Sequence, residues 1–115
     1  MTLSLNTRKI DEVVIIDMNG RLTCGEPQMM LRSTLRHYMD DGCRKFVLNL
    51  GGVSFVDSSG LGELVAARNS LATHDGQINL LGLKEKVRDV LIITRLVCVF
   101  ESFDNEAAAL TALTA

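Results

Sequence analysis

The run Lys45-Phe46-Val47-Leu48-Asn49-Leu50 constrains the fold of this chain more than any other segment. Its apolar residues fall on both parities of a strand, so both faces have to be covered, as in a central strand with layers on either side. The run is expected to end at Gly51-Gly52 and to lead into Asp57-Ser58-Ser59-Gly60-Leu61-Gly62. Beyond that point the period changes. From Ser58 to about Thr73, residues Leu61, Leu64, Val65, Ala67, Leu71 and Ala72 share one broad helical stripe. A buried strand that passes directly into an amphipathic helix is half of a crossover unit. Arg68 is a misfit inside the stripe, and its stem would have to carry the guanidinium past it to a carboxylate or an interface.

The flanking segments complete the pattern. Residues 2–9 (TLSLNTRK) and 12–18 (EVVIIDM) read as two strands of a hairpin, parted by a charged turn at Lys9 to Asp11. After Gly20 to Gly25, Pro27 suits an early helical position, Leu31, Leu35 and Tyr38 keep helical spacing, and Gly42 stops the helix. Ile78 to Leu81 is a further strand, Val87, Val90, Leu91 and Thr94 mark a third helix, and Val97 to Phe100 is a last strand. Asp104 then caps a terminal helix through Leu113. The order β-β-α-β-α-β-α-β-α predicts an α/β fold with one mixed sheet and right-handed crossovers, as one domain over residues 1–115.

Composition excludes several classes of function. Twelve basic residues against fourteen acidic ones leave a net charge of -2, with neither sign gathered into a block, so no nucleic acid is expected as a partner. No aliphatic run approaches the ~20 residues of a membrane helix, and no charged segment followed by an apolar one opens the chain. The expectation is a cytoplasmic protein without membrane contact. Cys24, Cys43 and Cys98 are odd in number and widely spaced, which suggests neither disulfides nor a metal site. Ordinary packing is expected for Cys24. Arg32, Arg36, Lys84, Glu85, Lys86 and Arg88 read as solvated helix faces, and Met29, Met30 and Met39 as packing or rim residues.

The candidate site is the strand-to-helix turn, where Asp57, Ser58 and Ser59 sit at the carboxyl edge of a sheet. Asp57 or Ser58 can cap the helix. Gly60 and Gly62 each forgo up to ~1 kcal/mol of helix propensity relative to Ala, and a bare backbone surface is one reason to tolerate that. A phosphate on Ser58 would add about -1.5 to -2 charges to this small, neutral surface.

The segment VLNLGGVSFVDSSGLGEL resembles the signature of the STAS family of bacterial anti-sigma-factor antagonists. The likeness extends to the leading strands, the Gly20-Arg21-Leu22 turn, the INLLGL strand and the terminal helix. It implies a STAS-type domain that is no enzyme and carries no cofactor or metal of its own. The implied partner is an anti-sigma factor serine kinase, bound when the domain is unphosphorylated and released when Ser58 is phosphorylated. A serine phosphatase would reverse the change. Ser58 matches the family's phosphorylated position, Ser59 is second choice, and Asp57 orients or caps the loop. The implied partner surface comprises Asp57, Ser58, Ser59, Gly60, Leu61 and Gly62, with Thr23, Gly25 and Glu26 from a neighbouring loop that could equally be an ordinary turn and helix start. Thr23 stands where many members of the family carry an aspartate associated with phosphorylation of the serine.

Rival readings have less support in the residues. A hydrolase would need a base beside the serine, yet His37 and His74 fall in a helix and a turn, and no G-x-S-x-G elbow is present. No phosphate-binding glycine motif is complete. A nucleotide-sensing module and a non-switching STAS scaffold stay as alternatives, the scaffold on account of Thr23.

Overall fold

The computed structural model describes residues 3–114. Five strands and four helices follow in the expected order: β1 Leu3–Ile10, β2 Val13–Leu22, α1 Glu26–Asp40, β3 Lys45–Val56, α2 Ser58–Ala72, β4 Gln77–Leu81, α3 Glu85–Ile93, β5 Glu101–Phe103 and α4 Glu106–Thr114. Thr2, the expected first residue of the leading strand, lies outside the described residues, as do Met1 and Ala115. The sheet is mixed, with strand order β1-β2-β3-β4-β5; β1 and β2 form an antiparallel hairpin and every later pair is parallel. Asp11 turns the hairpin with φ 54°, a left-handed conformation that Asp tolerates better than most residues.

The continuous apolar pattern of β3 has the cause its sequence implies. Phe46, Leu48 and Leu50 join Val14, Ile16 and Met18 of β2 in the main core beneath α1, α2 and α3. Val47 points to the opposite face, where Val13, Ile15 and Leu81 pack under Ala109 and Leu113 of α4. Arg8 ties α4 to the sheet. Its guanidinium lies 2.7 Å from Asp17 Oδ2 and 2.6 Å from Glu106 Oε1, and the Arg8 hydrogen bond holds the Asp17 carboxyl below its usual range.

Besides β2, which continues past the expected Met18 and takes the Gly20-Arg21-Leu22 segment, read as a turn, into the strand, three details depart from the sequence reading. First, β3 does not end at Gly51-Gly52 but runs on to Val56. The register against β2 slips between Asp17/Asn19 and again between Gly20/Arg21, and a Cβ on Gly52 would stand 1.8 Å from Asn19 Oδ1. The glycine therefore admits a bulge and a close approach of the two chains, and the strand continues past it.

Second, Val97 to Phe100 is not a strand; the last strand is β5, Glu101–Phe103. Leu96 N and Val97 N both donate to Leu91 O at the end of α3 (2.8 and 3.1 Å), and Arg68 Nε donates to Val99 O at 2.9 Å. These bonds hold residues 96–99 as a turn. Leu96, Val97 and Val99 are apolar because they pack on the main core, with Phe100 buried beside them. Arg68 reaches a carbonyl of this turn, which explains its place in the α2 stripe.

Third, the α4 cap is Asn105, whose Oδ1 accepts from Ala108 N at 2.8 Å. Asp104 is exposed and lies 3.8 Å from Arg88 instead.

Candidate functional site

The β3-to-α2 turn is built around one carboxylate. Asp57 is extended (φ -92°, ψ -176°), and its Oδ1 accepts the Gly60 N–H at 2.8 Å, so Asp57 is the α2 cap. Its Oδ2 accepts the Cys24 N–H at 2.9 Å across 33 residues of chain. The Asp57 N–H in turn donates to Leu22 O at 3.2 Å. One side chain thus closes the first turn of α2 and fastens the β2–α1 loop beside it. The Gly60 N–H, then the Cys24 N–H, hold the Asp57 carboxyl below its usual range.

The loop comprising Thr23 to Gly25 and the start of α1 therefore does lie next to Ser58. Thr23 is half-buried, while Cys24, Gly25 and Glu26 are exposed. Cys24 departs from the packing expected of it, because Asp57 holds its backbone in an open loop. Gly25 takes φ 94°, where a side chain would be strained.

Ser58 is exposed as the first residue of α2, and Ser59 is half-buried. The two glycines part company. Gly60 is buried: a Cβ there would stand 2.4 Å from Leu22 O and 2.9 Å from Leu22 Cγ, so its absence lets α2 lie against the end of β2. Gly62 is exposed with nothing within 4 Å of an added Cβ, and it supplies the bare surface expected of both. Leu61 is buried, so it anchors the helix in the core.

The sequence reading missed two groups at this site. Glu63 is only 4% exposed, yet it is ionisable. Its Oε1 lies 3.0 Å from Arg32 and accepts from Arg32 Nε at 3.1 Å and from Gln28 at 3.4 Å, which links α1 to α2 one turn below Ser59. Arg32, read as a solvated residue, is half of this pair. The second group is Phe55, 42% exposed, with the Arg21 guanidinium carbon 4.8 Å from its ring centre. An exposed aromatic in a strand pattern was the available signal.

Neither histidine stands beside the serines. His74 lies at the far end of α2, with Nδ1 2.9 Å from Ser70 O, and His37 is exposed on α1. Among the described residues no group of three His, Cys, Asp or Glu side chains is placed to hold a metal. A groove of about 500 Å³ between α1 and α2 is lined by Arg32, Arg36, Arg44, Glu63 and His74 among others, away from Ser58. No helix among the described residues is long and apolar enough to cross a membrane.

The site thus comprises an exposed serine at a helix start, next to the aspartate that caps that helix, at the carboxyl edge of a mixed sheet. The model of the STAS domain covers residues 4–109. The chain belongs to the STAS family. The anti-sigma-B factor antagonist of Staphylococcus aureus is 30% identical to this STAS protein over 97 residues, 84% of this chain and 88% of that one. A crystal structure of an anti-sigma factor antagonist from Mycobacterium paratuberculosis superposes with a TM-score of 0.85 at 21% identity, covering 99% of this chain and 96% of that one. The Bacillus cell fate determinant SpoIIAA in its phosphorylated form superposes at 0.72 with 22% identity, covering 91% and 96%. These two likenesses concern the fold.

Proposed function

We infer that this STAS protein is an anti-sigma factor antagonist that works by reversible binding, with Ser58 as its switch. The observation that carries the reading is the state of the α2 start. Ser58 is exposed, while the neighbouring Asp57 carboxylate is already engaged by two backbone N–H groups. A kinase can reach the hydroxyl without unfolding the turn. The relatives named above support the reading by their names, and a fold neighbour was solved phosphorylated.

The physical sequence is as follows. Unphosphorylated, the α2 start docks on an anti-sigma factor serine kinase, and sigma factor is released. The kinase transfers the γ-phosphoryl group of its own ATP to Ser58 Oγ, releasing ADP and the hydroxyl proton. The new dianion is tolerable in the free antagonist, because the amino end of a helix favours negative charge. In the complex it would be buried beside Asp57 without a partner, and an unpaired charge at an interface costs about 2–5 kcal/mol. The complex then dissociates, and a serine phosphatase resets the hydroxyl. ATP belongs to the kinase, the antagonist itself performs no chemistry, and the exchange takes place in the cytoplasm.

Thr23 favours a second reading, a non-switching scaffold that uses the same surface. The two readings are separated by incubation with ATP and the purified anti-sigma kinase encoded nearest to this protein, since the switch takes up phosphate on Ser58 and the scaffold does not; binding of the same kinase then tests the switch. The switch reading expects Ser58→Ala to bind like wild type and Ser58→Asp to bind at least about thirtyfold more weakly. Equal binding by wild type and Ser58→Asp contradicts it.

A further inference from the structure

The groove between α1 and α2 takes no part in the reading of Ser58. Its volume of about 500 Å³ falls within the roughly 300–1,000 Å³ of small-molecule sites. Glu63 lines it and is 4% exposed, yet its bonds all fall on one oxygen. Arg32 Nη2 at 3.0 Å, Arg32 Nε at 3.1 Å and Gln28 Nε2 at 3.4 Å all meet Oε1. Oε2 accepts from no protein group among the described residues. It is not sealed in either, because no side-chain oxygen or nitrogen among them is both fully buried and unpaired. Oε2 therefore faces the groove, as an acceptor on a nearly buried carboxylate that calls for a donor. The groove also holds cations without a partner of their own. Arg44 Nη1 donates to Met39 O and Cys43 O, both at 2.9 Å, which fixes the guanidinium and leaves its Nε and Nη2 unused among the described residues. Arg36 is exposed, and neither it nor Arg44 makes an ion pair among the described residues. Arg32 neutralises Glu63, and Asp40 is the other acid in the lining, so three arginines against two carboxylates leave one net positive charge with His74 neutral.

We propose that this groove binds a small phosphate monoester of a polyhydroxylated compound, a sugar phosphate in chemical class, with its phosphate on Arg36 and Arg44 and a hydroxyl donating to Glu63 Oε2. The two ends of the groove ask for opposite chemistry in one molecule. Unpaired guanidiniums are the usual partners of a phosphate, to which they donate charge-assisted hydrogen bonds. A carboxylate oxygen repels a phosphate and takes a neutral hydroxyl instead. The spacing suits one small molecule, because Arg36 stands four residues beyond the Arg32 that holds Glu63, a rise of about 6 Å along α1. Arg44 is already oriented by two carbonyls, so it loses little freedom when an anion binds. The site lies away from Ser58 and does not depend on the switch.

The experiment is an NMR titration of the full chain, following backbone amides, with glucose 6-phosphate, ribose 5-phosphate, glucose and inorganic phosphate as separate probes. Wild type is compared with Arg36→Ala, Glu63→Gln and Lys86→Ala, each checked for unchanged fold by thermal unfolding. At least one sugar phosphate is expected to shift amides of α1 and α2 along the groove with a millimolar or lower Kd, inorganic phosphate to act at the same residues more weakly, and glucose to do nothing. Arg36→Ala should weaken both phosphate-bearing kinds of probe at least about fivefold. Glu63→Gln should weaken the sugar phosphate and spare inorganic phosphate, and Lys86→Ala, which removes an exposed cation of α3, should change neither. No groove shifts with either sugar phosphate overturn the proposal. So does binding of inorganic phosphate as tight as that of the sugar phosphates, or a loss in Lys86→Ala equal to that in Arg36→Ala, since either marks an adventitious ion only. Because Arg36 is exposed, its variant decides the matter even if Glu63→Gln fails to fold.

Discussion

Gly60 and Gly62 are the same residue type two positions apart in one helix, and replacing either with Ala should move stability in opposite directions. Helix propensity alone favours Ala at both by up to ~1 kcal/mol. At Gly62 an added methyl meets nothing within 4 Å, so the gain stands at about 0.5–1 kcal/mol. At Gly60 the methyl would fall 2.4 Å from Leu22 O, a backbone atom held by the β2–β3 pairing, and 3.0 Å from Val56 Cγ1. Forcing a methyl into a packed site costs about 1–3 kcal/mol, and against backbone the upper part of that range applies, so after the propensity gain a net loss of up to roughly 2 kcal/mol is left. In a domain of this length 1 kcal/mol shifts Tm by roughly 3–6 °C. Gly62→Ala should therefore melt a few degrees above wild type and Gly60→Ala several degrees below it, by calorimetry or by circular dichroism at 222 nm. Equal stability of the two variants would refute the placement of Gly60 against the end of β2.

Three further outcomes follow from the structure. Asp57→Ala removes the α2 cap, about 0.5–2 kcal/mol, and also frees the Cys24 N–H, so amide exchange should quicken at both Gly60 and Cys24; unchanged protection at Cys24 would contradict the tie between the loops. Asp57 and Asp17 are held below their ordinary range, so the folded state binds fewer protons than the unfolded one. The stability they contribute is present above about pH 4 and is lost as pH falls through their lowered values. Urea midpoints should fall in acid, and less steeply in Asp57→Asn. Arg32→Ala strips the buried Glu63 of its cation and should cost about 1–3 kcal/mol, with part of the loss recovered in Arg32→Ala/Glu63→Gln; simple additivity of the two changes would show that the pair is not coupled.

The elements that obey a single local rule could be read without a structure. Lys45 to Leu50 announced a strand covered on both faces, and the stripe from Leu61 to Leu71 announced a helix, because burial there follows backbone periodicity. Asp57 was readable as a candidate cap from residue type alone. Its second bond to Cys24 was not, since the partner lies 33 residues away. Long-range contact also explains the errors. Val97, Val99 and Phe100 are apolar because the turn after α3, held by Arg68, folds them against the core, and composition does not separate that from a strand. Gly51-Gly52 looked like a terminus because the close approach of Asn19 is a property of two strands together. Glu63 was passed over because an acid on a helix is usually solvated, and only the facing Arg32 and Gln28 of α1 make it an interior residue.

The most direct test of the account is intact mass spectrometry of the protein after incubation with ATP and the anti-sigma kinase encoded nearest to it, with fragmentation to place any added phosphate. The account expects a single phosphate on Ser58, none on Ser58→Ala, and reversal by a serine phosphatase. A kinase that binds the protein yet leaves it unphosphorylated, or phosphate placed elsewhere while Ser58 stays free, would contradict the switch.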